Sequence, residues 1–155
     1  MARKASDAEC RGNYEKLREM FNTIVPDAGR FEVVYACGLD VGMTDLIVVR
    51  RHTYTYSSYI VGFDTQANEI VIIPVTVEMD AYGQPIYLKN SEVRRAKQSW
   101  ISKEITIQDN RLPRKYIQFS VVSHIAKDPD NVVILVKQDE ESKKFQEFFK
   151  TRFKK

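Results

Sequence analysis

The residues best placed to do chemistry lie in one stretch of the chain, from Lys89 to Lys115. There eight cations (Lys89, Arg94, Arg95, Lys97, Lys103, Arg111, Arg114 and Lys115) face three acids, Glu92, Glu104 and Asp109. Cations at this density attract anions whatever the fold. Arg94, Arg95, Lys97 and Lys103, with Lys115, are the expected basic rim for a ligand or partner. Trp100 lies among them and could set its ring against a base. Composition places it instead in the core or half-buried, with the cations keeping a surface solvated.

The other reactive side chains form no familiar constellation. His52 and His124 have no HxxxH, HExxH or HxE neighbour, which disfavours the common metal sites, and both read as strand-end or surface histidines. Cys10 and Cys37 lie far apart, outside any CxxC spacing. Cys10 reads as a small core residue and Cys37 as a buried thiol closing a strand. The patterns GxSxG, GxxxxGK and GxGxxG are absent. The acids of Asp40-Val41-Gly42-Met43-Thr44-Asp45 lack the alternating oxygen ligands of a calcium loop and read as a turn. No catalytic residue, metal ligand or cofactor is expected, although a site assembled from distant strands stays open.

What must position the basic stretch is a single domain. The chain has 155 residues, 43% of them hydrophobic and 29% charged, enough to bury a core without disulfides or metal. The start of the chain has no apolar signal-peptide core, and the longest near-apolar run, Ile70 to Val77, is interrupted by Pro74, so no membrane span is expected. With so few cysteines, the expectation is a soluble protein in the reducing cytoplasm. Charge is uneven: residues 1–78 carry 8 Lys+Arg against 11 Asp+Glu, and residues 79–155 carry 16 against 10.

The element pattern is helix, seven to nine strands, helix. Ser6 and Glu9 fit a capping box, and Cys10, Tyr14, Leu17, Phe21 and Ile24 share one helical face, predicting a helix over 6–25 stopped by Pro26. The body, residues 31–137, is rich in β-branched runs: 31–37, 46–50, 53–56, 58–63, 69–77, 84–88, 103–108, 116–125 and 132–136. Residues 64–68 suit a hairpin. Glu92–Gln98 reads equally as a short helix with Val93, Ala96 and Trp100 on one side, or as a strand. Phe145, Phe148, Phe149 and Phe153 stripe a helix over 139–153, with acids in its first turn and cations in its last. Strands following one another without intervening helices imply antiparallel pairing. The expectation is an α+β single domain, residues 1–155: a strongly bent antiparallel sheet or partial barrel with a helix at each end.

With that order, Tyr59-Ile60-Val61-Gly62-Phe63-Asp64, the 69–77 strand, and Asn131–Gln138 running into Ser142–Lys155 resemble the bacterial pleckstrin-homology-like domains over about Phe31 to Lys155. The resemblance implies a bent, nearly barrel-like sheet closed by one C-terminal helix, and a scaffold that has served lipids, peptides and proteins. The helix over 6–25 is an addition to that pattern.

The leading expectation is therefore a non-catalytic binding or adaptor module whose basic surface takes a protein or an anionic ligand. A nucleic-acid-associated protein is the alternative, with Tyr54, Tyr56 and Tyr59 as further stacking surfaces, but the pI of about 8.8 is modest and no RNP-type motif is present. An enzyme with a dispersed site comes third. The basic, aromatic C-terminal helix could lie on an anionic membrane, but closing the core is the preferred use of its phenylalanines. Nothing in the pattern sets the oligomeric state.

Overall fold

Ser6 accepts from the Glu9 backbone N–H at 3.2 Å, and the Glu9 carboxylate reaches back to it, so helix α1 (Asp7–Ile24) starts where the capping box requires. The structure, a computed structural model, describes residues 3–39, 56–112, 114–128 and 132–155. The apolar face of α1, Cys10, Tyr14, Leu17 and Phe21, is buried. A turn of 3-10 helix over Ala28–Arg30 leads into the strands.

Four antiparallel strands form the first sheet in the order β2 (Glu32–Leu39), β3 (Tyr56–Asp64), β4 (Glu69–Val75) and β5 (Ile86–Lys89). Three more form the second: β6 (Arg95–Gln98), β7 (Ile105–Gln108) and β8 (Tyr116–Phe119). A two-residue pair, β1 (Arg3–Lys4) with β9 (Lys127–Asp128), ties down the start of the described chain. The α+β single domain expected from the sequence is present, as two antiparallel sheets and not a closed barrel.

Every residue of β4 is buried because the first sheet is covered on both faces. With a period of two, Ile70 and Ile72 join the core beneath the C-terminal helix, while Val71, Ile73 and Val75 pack toward α1. Gly62 permits the close seating of α1. A Cβ there would lie 2.3 Å from the Phe21 ring.

The two sheets meet at one seam. The Cys37 N–H donates to the Ser120 carbonyl at 3.0 Å, and the Ser120 N–H returns to Cys37 at 2.7 Å. Gly38 sits at that crossing, where a Cβ would come within 2.2 Å of the Gln118 carbonyl. On the far edge, Ala96 and Lys155 exchange backbone bonds of 3.1 and 2.7 Å.

Helix α2 (Asp139–Phe148) continues into a wider turn over Phe149–Phe153 and closes the inner core. All four of its phenylalanines are buried, and the Phe63 ring meets Phe145 edge-on with centroids 5.3 Å apart.

Three sequence expectations change. The run 132–136 is buried at Ile134, Leu135 and Val136 but is not a strand. Its backbone bonds are mixed and do not form a ladder: Asn13 donates to the Leu135 carbonyl at 2.8 Å, the Ile134 N–H donates to the Tyr35 hydroxyl at 3.0 Å, and the Val136 carbonyl accepts from the Ile125 N–H at 2.8 Å. The 116–125 strand ends at Phe119, where the chain turns to the seam. Cys37 lies inside β2 and is half-buried; it does not end the strand. The expected runs at 46–50 and 53–55, the Asp40–Asp45 turn, His52 and Tyr54 lie outside the described residues.

Candidate functional site

Of the ambiguous stretch Glu92–Gln98, residues Arg95–Gln98 form a strand and the preceding residues a turn. Arg95 and Lys97 are exposed and Ala96 is buried between them, so β6 alternates with the period of a sheet. The Arg94 N–H already donates to the Gln108 carbonyl at 2.8 Å, one residue before the strand. A helix would have joined Val93, Ala96 and Trp100 on one buried side, whereas Trp100 is 81% exposed. The core placement expected for Trp100 is thereby overturned.

Across the second sheet, Arg95 pairs with Gln108 and Gln108 with Tyr116; Lys97 pairs with Thr106 and Thr106 with Gln118. These two rows make the outward face, polar and led by the two cations at its edge. The inward face is Ala96, Ile105, Ile107, Ile117 and Phe119, all buried.

A six-residue connection, Ser99 to Glu104, joins β6 to β7. Trp100 and Ile101 stand at its tip, each 81% exposed. The loop ties up its own backbone: Lys103 N–H donates to the Ser99 carbonyl at 2.8 Å, and the Ser102 and Glu104 N–H groups donate to the Ser99 and Ser102 hydroxyls, each at 3.3 Å. Lys103 closes the turn at φ 64°, in the left-handed region. Its base is anchored by Gln98, whose amide donates to the Lys103 carbonyl at 2.9 Å and to Gln146 of α2 at 2.8 Å.

The fold divides the five expected cations. Lys97 and Lys103 lie toward the Trp100 tip. Arg94, Arg95 and Lys115 lie toward the opposite end, with Lys115 at φ 66° in the β7–β8 turn. Arg95 and Lys97, two residues apart on the same face of β6 and about 7 Å from each other, join the two groups. All five are exposed, and none makes an ion pair among the described residues.

Their excess charge has a local cause. Arg111 holds Asp109 through two side-chain bonds, of 2.9 and 2.6 Å, and reaches Glu92 at 3.5 Å. That contact keeps the Asp109 carboxyl below the usual carboxylate range against the opposing effect of burial. Two of the three acids in the stretch are thus taken by one arginine.

The other candidates are structural. Cys10 is buried and weakly bonded to the Ile125 carbonyl at 3.6 Å, its thiol pushed up by burial and by Asp7 and Glu9. Burial raises the Cys37 thiol to about 11. Neither is an activated nucleophile. His124 is half-buried, bridged through its backbone to Lys137, with Nε2 3.5 Å from Asp7. Tyr59 is fully buried and offers no stacking surface. Among the described residues no group of three or more His, Cys, Asp or Glu could hold a metal ion. No helix there is long and apolar enough to cross a membrane.

Sequence reasoning did not single out Ile101. Its only signal was position: Ser99-Trp100-Ile101-Ser102 separates two runs that alternate like strands, so both apolar residues belong to a loop. Comparison with protein-family models, with curated proteins and with solved structures finds no match.

Proposed function

We propose that this protein is a non-catalytic binding or adaptor module, and that its working surface is the outward face and β6–β7 tip of the second sheet. The observation that carries this reading is the pairing of unengaged cations with two apolar side chains held in water on a rigid turn. Large apolar groups clustered in this way mark interaction surfaces. A four-stranded and a three-stranded sheet joined at one seam and closed by a C-terminal helix also support the pleckstrin-homology-like reading.

The test is recovery of partners from cell extract with the tagged protein, at low and moderate salt, with and without nuclease. A defined component retained through salt and nuclease supports the module. Charge reversal of Arg94 and Arg95 that leaves every recovered interaction intact removes those residues from the surface. The exposed Trp100 ring beside Lys97 and Lys103 favours one second reading, single-stranded nucleic acid, for which recovery would collapse with salt and with nuclease.

A further inference from the structure

We infer that the β6–β7 hairpin tip is a membrane-docking element that seats Trp100 and Ile101 in the interface of an anionic lipid surface. The inference rests on the binding-module reading and names its occupant. Trp100 and Ile101 are neighbours in one turn, each 81% exposed, and the tip leads the end of the second sheet. An indole suits the headgroup level of a bilayer, and an aliphatic chain beside it suits the acyl boundary. A base-stacking site has use for the ring and none for Ile101.

Inserting a turn normally desolvates its backbone. Here the N–H groups of Ser102, Lys103 and Glu104 are already bonded within the turn, which lowers that cost. Lys97 and Lys103 lie behind the tip with no ion pair among the described residues, where their long stems can reach anionic headgroups. The antiparallel Ala96–Lys155 pair sets Lys154 next to Lys97 on the same side. Glu104 is the one acid of the loop, and it is half-buried. The basic C-terminal helix has no large apolar side chain to insert, because its phenylalanines are committed to the core.

Trp100 is the single tryptophan of the chain, so its fluorescence reports the tip alone. The experiment titrates the full chain with vesicles of phosphatidylcholine, with and without phosphatidylglycerol, and follows emission wavelength and quenching by brominated acyl chains. The expected result is a blue shift and quenching with the anionic vesicles only, weakened by salt. Lys97→Glu with Lys103→Glu should weaken binding about tenfold or more. Ile101→Ser should weaken it by a similar factor while the urea midpoint stays unchanged.

Vesicle binding without a change in Trp100 emission would overturn the inference, since another surface would then be in contact. Unchanged emission with anionic vesicles, together with quenching by an oligonucleotide, overturns it in favour of nucleic acid. If vesicles give nothing while a salt-resistant protein partner is recovered from extract, this inference fails and the module stands. If neither is found, both fail.

Discussion

The two sheets treat their cations in opposite ways. In the first sheet, Arg30 bridges Asp64 at 2.7 Å and Glu69 at 2.8 Å and also holds Asp27, while both sheet faces are covered. Asp64 and Glu69 face each other across the β3–β4 hairpin with side chains only 9% and 4% exposed. In the second sheet the outward-face cations Arg95 and Lys97 are exposed and make no ion pair among the described residues. Charge paired with buried charge is committed to the fold; charge left in water beside exposed apolar groups is free to meet a partner.

The largest expected effect comes from breaking the first arrangement. Arg30→Ala leaves two buried carboxylates facing each other, and stability should fall by about 2–4 kcal/mol, reduced from the fully buried case because Arg30 itself is partly in water, read from the urea midpoint. Gly62→Ala drives a methyl into the Phe21 ring and should cost about 1–3 kcal/mol, since α1 must shift to make room. An unchanged midpoint for Gly62→Ala would mean that α1 is not held against the first sheet as described.

Acid sharpens the same contrast. Burial would raise the Asp64 carboxyl, but Arg30 and the N–H groups of Ala67 and Gln66 outweigh it and hold it below its ordinary value. Arg111 does the same for Asp109 and Arg11 for Glu141. A carboxyl lowered in the folded state stabilises it above the unfolded value, and that contribution disappears as pH falls through the lower folded one. The urea midpoint should therefore hold near neutrality and decline below about pH 4. Arg30→Ala should flatten that decline, which denaturation at several pH values would show.

The smallest effect belongs to the tip. Trp100→Ser with Ile101→Ser should leave stability within about 0.5 kcal/mol, because neither side chain is packed. A large loss in denaturation would show that the tip supports the fold and would dissolve the contrast between the sheets.

Much of this molecule was legible in the chain. The Ser6–Glu9 capping box, the apolar face of α1 and the four-phenylalanine stripe of the last helix follow from local spacing, which the folded state keeps. The run 69–77 was legible as a strand, and the structure buries every residue of it over Glu69–Val75. Its counterpart at 132–136 misled, because an apolar run reports burial and not how its backbone is bonded. The outcome there depended on partners elsewhere in the chain, Asn13, Tyr35 and Ile125.

The chain by itself determined the α+β class, the two helices, the hairpin over 64–68 and the cation-rich stretch, because each depends on residues close in sequence. Only the tertiary structure decided which cations remain free. Arg111 takes Asp109 and Glu92 once β7 and its turn bring them together, and the sheet register sends Arg95 and Lys97 outward on one face. It also decided that Trp100 stands in water: a ring's burial depends on what packs over it, and nothing among the described residues packs over the tip of this hairpin.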